Sequence, residues 1–96
     1  MRHDARRDGN EKAIVDALEA QGFHVDRVSG KGIPDLIVSK AGQVWFVEIK
    51  MPKAKLKPTQ VAWRAAYRGP APILLRSVED ALKFQLLAME TGERKC

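Results

Sequence analysis

The apolar positions of this chain change period from segment to segment, and each change marks an element. Ala13, Ile14, Ala17 and Leu18 recur at helical spacing behind Asp8–Asn10, which offer N-caps, and Gly22 supplies a stop. FHVDRV (23–28) alternates and reads as a strand, and SGKG (29–32) as a turn or flexible loop. Pro34 holds Ile33 extended and suits a strand start. Residues 34–39 and 43–50 then form two strands joined by a turn at Lys40–Gly42. MPKAKLK (51–57) is a basic loop, and Pro58 opens a second helix, about 58–68, closed by Gly69. APILLRS holds an apolar run too short for a helix and reads as a buried strand. Ser77-x-x-Asp80 has the form of a capping box and opens a third helix, roughly 78–91, ended by Gly92. The predicted order is α-β-β-β-α-β-α, an α/β fold with a mixed four-stranded sheet flanked by helices. Residues 1–8 read as a loose basic arm, 9–92 as one domain and 93–96 as a tail.

The two central strands carry more charge than a core hairpin needs. Side chains alternate across a strand, so Asp35, Ile37 and Ser39 share a face, as do Phe46, Glu48 and Lys50. A turn centred on Ala41–Gly42 sets Asp35 opposite Glu48, with Cβ atoms about 4.5–5.5 Å apart. Like charges so placed destabilise a sheet unless one carboxylate takes a proton or a cation sits between them. Hard oxygen ligands favour Mg²⁺ or Ca²⁺. The plainer alternative is a solvated sheet face. Glu11 sits at the edge of the first helix's apolar stripe, either stabilised by the helix dipole or pointing into a site. On the second helix Gln60, Arg64 and Arg68 form a polar ridge flanked by Trp63 and Tyr67, which serve either as core or as stacking platforms for bases.

Composition narrows the classes. The chain has 96 residues, 45% hydrophobic and 30% charged, enough for one globular core. No apolar run reaches the length of a membrane span, and the N-terminus has no secretory pattern. The single cysteine, Cys96, excludes an internal disulfide and four-cysteine zinc schemes, and an intracellular, cytoplasmic setting fits best. His3 and His24 have no ligand spacing. The net charge is +5, and Ile49–Val78 holds seven basic residues and no acid. That run is either solvated surface or the footprint of a polyanion, most simply nucleic acid.

Gly32-Ile33-Pro34-Asp35 followed by Glu48-Ile49-Lys50 resembles the PD-(D/E)XK nuclease signature. More narrowly, GIPDLIV…VWFVEIKMPKAKLKPTQVAW resembles the VRR-NUC branch, over roughly residues 10–76. The tripeptide that names the branch is absent, and ILLRS, with Arg76 as its only basic residue, occupies the corresponding strand. The resemblance implies a restriction-endonuclease-like core and metal-dependent hydrolysis of DNA phosphodiesters. It implies that Asp35, Glu48, the Ile49 carbonyl and Glu11 hold Mg²⁺ or Mn²⁺. It also implies that Lys50 acts on the nucleophile or on transition-state charge, and that Gln60 positions water or phosphate. Lys53, Lys55, Lys57 and Arg64 would bind the nucleic acid.

Small stand-alone members of the branch resemble homodimers that cut branched DNA such as four-way junctions. The third helix offers an interface for such a dimer. Its main apolar face reads as Val78, Ala81, Leu82, Leu86 and Met89, leaving Phe84 and Leu87 on the far side, for a partner or for the N-terminal arm. The competing expectations are a nickase or flap nuclease working with a helicase or replication partner, and a catalytically inactive DNA-binding module.

Overall fold

The computed structural model describes residues 9–93. The 1–8 arm, residues 94–96 of the tail and the side chains of residues 89–93, Met89 among them, lie outside the described residues. The elements follow the predicted order, with the last helix in two pieces: α1 (Glu11–Ala20), β1 (His24–Arg27), β2 (Leu36–Lys40), β3 (Gln43–Ile49), α2 (Pro58–Ala66), β4 (Ile73–Leu75), α3 (Val78–Leu82) and α4 (Phe84–Glu93). The sheet order is β1-β2-β3-β4. β1, β2 and β3 run antiparallel in sequence, and β4 joins β3 in parallel through α2.

The central hairpin has the register that the turn implies. Leu36 pairs with Val47 and Lys40 with Gln43. Ala41 and Gly42 both have positive φ, 53° and 82°. Two successive positive φ values give the twist that a two-residue hairpin turn requires, and alanine accepts the first at some cost.

Alternation divides the sheet. Leu36 and Val38 of β2, Val47 and Ile49 of β3, and Ile73 and Leu75 of β4 are buried in one cluster with Ile14, Val15 and Leu18 of α1. On the other face Phe46 packs edge-on against Trp63 of α2 and Tyr67 at its C-terminal end, with centroids 5.5 Å away in each case. Trp63 and Tyr67 are themselves stacked at 4.5 Å. These partly buried aromatics tie α2 to the sheet, although no residue of α2 is fully buried.

The C-terminal helices correct the predicted core face. The predicted helix is interrupted at Lys83, and α4 runs through Gly92 to Glu93. Phe84, expected on the far side, is 0% exposed, whereas Leu82 is 59% and Leu86 62% exposed. Leu87 also packs against the core. The reason is shape. Ala81 is small enough to let α1 come close, and its carbonyl accepts a hydrogen bond from Gln21 Nε2 at 2.9 Å. Phe84 then fills the gap between Phe23 and Trp45, 5.0 and 5.3 Å away in edge-to-face contacts. One interlocked aromatic outweighs several aliphatic residues that find no facing groove. Phe84→Ala is therefore expected to destabilise the fold by about 3–5 kcal/mol. In the monomeric chain, Leu86→Ala should stay within about 0.5 kcal/mol of wild type, as exposed substitutions do. Urea unfolding of the two variants checks the assignment.

Candidate active site

The GIPD segment is fixed before β2 begins. Gly32 has φ 80°, and a Cβ there would come within 2.5 Å of the Thr59 carbonyl in the first turn of α2. Only glycine tolerates both conditions. Pro34 behind it is fully buried. The Asp35 carbonyl accepts from Val28 N–H at 2.9 Å. Asp35 thus enters at the mouth of the hairpin, one step beyond the Leu36–Val47 pair, facing Glu48.

The two carboxylates interact directly. Glu48 is 2% exposed. Burial and then the neighbouring Asp35, through charge and a hydrogen bond, push its pKa from 4.5 up to about 8. Lys50 and Arg64 oppose that shift. Asp35 Oδ2 also accepts from the Ile49 N–H at 2.8 Å, so the backbone of β3 holds one carboxylate while its side chain supplies the other. The N–H and C=O of a strand residue share one edge, which places the Ile49 carbonyl on the Asp35 side. Gln60, in the first turn of α2, donates from Nε2 to Glu48 Oε2 at 2.9 Å and accepts from the Lys57 N–H on Oε1 at 2.8 Å. Both ends of its amide are engaged, so it orients Glu48. Lys50 is 6% exposed, an ammonium held at the end of the same strand face.

Glu11 is placed differently. It is 4% exposed, and its Oε2 accepts from Arg27 Nε at 2.7 Å. Among the described residues no three His, Cys, Asp or Glu side chains form a group suited to a metal ion. The structure therefore brings together Asp35, Glu48, Ile49, Lys50 and Gln60, and it sets Glu11 on Arg27. Arg64, expected to contact nucleic acid, donates from Nη2 to the Pro72 carbonyl at 2.9 Å, and its Nη1 is buried without a hydrogen-bond partner. Lys53, Lys55 and Lys57 are exposed, as expected.

Two further residues shape the site and escape sequence reasoning. Asn10 reads as an N-cap, but its side chain makes no cap bond. Its Nδ2 instead donates to the carbonyls of Lys50 at 3.1 Å and Arg76 at 2.9 Å, fastening the start of α1 across the ends of β3 and β4. Arg27 gives no signal beyond its place at a strand end. Both act over sequence separations that local spacing does not encode.

Comparison of the chain with protein-family models, with curated proteins and with solved structures finds no match.

The Glu48 shift makes a stability prediction. The folded pKa, about 8, lies above the ordinary 4.5, so between them the folded state keeps a proton that the unfolded chain has lost. This contribution is complete below the unfolded value and vanishes as pH rises through the folded one. Without divalent cations, stability should fall by roughly 4 kcal/mol between about pH 5 and pH 8.5. Glu48→Gln should flatten that dependence, and thermal unfolding across the range in EDTA measures it.

Proposed function

We propose that this protein is a metal-dependent DNA endonuclease that hydrolyses phosphodiester bonds, with a preference for branched DNA such as four-way junctions. The observation that carries the reading is the buried contact of Asp35 with Glu48 beside the ammonium of Lys50. Two adjacent carboxylates under an aromatic-flanked helix cost stability, and the aliphatic residues of the core would fill that space without the cost. A functional site explains the arrangement.

The residues fit a hard divalent cation. The pair already requires a positive charge, which a proton on Glu48 supplies in its absence. Carboxylate oxygens suit Mg²⁺ or Mn²⁺, and Asp35, Glu48 and the Ile49 carbonyl would hold the ion. When bound, it supplies Lewis acidity, acidifying a water and neutralising charge on the phosphate. Gln60 keeps Glu48 in one orientation. The Ile49 N–H does the same for Asp35. Lys50, desolvated at the strand end, offers a fixed cation to the negative charge that builds on the phosphate oxygens in the transition state. Glu11, buried at the start of α1, is engaged by Arg27 and is proposed as a further ligand, directly or through water.

The reading includes a homodimer, drawn from the resemblance to small VRR-NUC enzymes. With Phe84 buried in the core, the proposed contact surface moves to the exposed Val78, Leu82 and Leu86.

A cleavage assay in Mg²⁺ or Mn²⁺ on four-way, flap and linear DNAs tests the proposal. Wild type should cut the junction fastest. Asp35→Asn and Glu48→Gln should lower single-turnover cleavage by at least about a hundredfold while leaving DNA binding intact. Lys50→Ala should slow the same step at saturating enzyme. Wild-type rates in either carboxylate variant would remove the assignment. Binding without cleavage of any substrate would leave a DNA-binding module instead.

A further inference from the structure

The basic run has a structural property that its sequence does not reveal. Among the described residues the ion pairs are Lys12–Asp16, His24–Asp26, Arg27–Glu11 and Lys83–Glu79. None involves the seven basic residues between Ile49 and Val78. Lys50 and Arg64 act on Glu48, whereas Lys53, Lys55 and Lys57 stand exposed and enter none of these pairs, an arrangement that favours an anionic ligand.

The loop carrying three of them has a defined shape. Arg76, just past the end of β4, donates from Nη1 to the carbonyls of Met51 at 2.8 Å, Pro52 at 3.2 Å and Ala54 at 2.7 Å. One nitrogen has two hydrogens, so one of them is shared, and the longest bond, to Pro52, is the weakest. The same stretch closes as a turn through Ala54 N–H to the Met51 carbonyl at 3.0 Å. At its far end the Lys57 N–H is held by Gln60. Arg76 is itself anchored, because its N–H donates to Asp80 Oδ2 at 2.9 Å and its carbonyl accepts from Asn10. The backbone carbonyls of the loop are drawn inward onto one guanidinium, and Lys53, Lys55 and Lys57 stand exposed. The three carbonyl dipoles stabilise the Arg76 guanidinium, and among the described residues Lys53, Lys55 and Lys57 enter none of the ion pairs above. A loop ordered before it meets its ligand avoids the entropy of ordering on binding.

We propose that Arg76 is a positioning residue that preforms residues 51–57 as a phosphate-binding strap for a nucleic-acid backbone. Lys53, Lys55 and Lys57 make the contacts and Arg76 makes none. The identity of the ligand rests on the nuclease reading.

The test is anisotropy of a labelled linear DNA duplex in EDTA across a range of salt, paired with amide hydrogen exchange. Lys55→Ala should flatten the slope of log Kd against log salt by about one, the signature of a lost phosphate contact. Arg76→Ala should weaken binding roughly tenfold with the slope unchanged, because the contacts persist while their ordering is lost. Exchange at Ala54 should accelerate, with β2 and β3 unaffected. Arg76→Lys keeps the charge and most of the stem, and it covers the case in which the alanine variant fails to fold. It should show the same affinity loss at smaller amplitude. A slope that falls by one in Arg76→Ala, full affinity in Arg76→Lys, or unchanged Ala54 exchange would overturn the proposal. Wild type that binds no DNA at low salt would overturn the choice of ligand. Wild type that binds and cuts nothing in Mg²⁺ or Mn²⁺ would defeat the nuclease reading and leave the strap standing.

Discussion

A glutamate that is 2% exposed and set against a second carboxylate is the constraint around which this small fold is arranged. Burial disfavours the charge on Glu48, and Asp35 disfavours it further. Such a pair persists only if the surroundings fix both groups and supply compensation. The compensation comes from the Ile49 N–H on Asp35 and the Gln60 amide on Glu48, with Lys50 and Arg64 contributing positive charge. Removing any one of these leaves a buried acid less well satisfied, which is costly in a low-dielectric site.

The architecture follows from holding those groups in place. One face of the sheet is given to an apolar core with α1, α3 and α4, which anchors β2 and β3. That anchoring lets the opposite face carry charge. α2 is fastened there by aromatic contacts and by the close approach of Gly32 to Thr59, and its first turn delivers Gln60 to Glu48. Asn10 and Arg76 join the ends of β3 and β4 to α1 and to the basic loop. The site is thus a junction of four segments remote in sequence, stabilised largely by hydrogen bonds to backbone carbonyls and N–H groups.

What the sequence reveals and what it hides divide along physical lines. Alternation and turn chemistry are local, and they locate the hairpin, its register and the opposition of Asp35 to Glu48. Pro58 and the Ser77–Asp80 pair mark helix starts for the same reason, and Ser77 Oγ does accept from the Asp80 N–H at 3.1 Å. The misread residues depend on tertiary fit. Phe84 is chosen for the core by the shape of the gap beside Phe23 and Trp45, which periodicity cannot see. Asn10, Arg27, Arg64 and Arg76 look like a cap or surface charges, and each instead bonds a partner brought near by the fold. A polar side chain announces what it can donate but not where its acceptor is.

We propose that the Asp35–Glu48 pair is a site for positive charge, held by a proton in the absence of metal and, on the nuclease reading, by a divalent cation in its presence. The most direct measurement is an NMR titration of the Glu48 side-chain carboxyl, with and without Mg²⁺. A midpoint near 8 is expected without the ion, with a clear fall toward or below the ordinary 4.5 when it is added, as metal displaces the proton. A midpoint near the ordinary value in both conditions, unmoved by Mg²⁺ or Mn²⁺, would contradict the proposal.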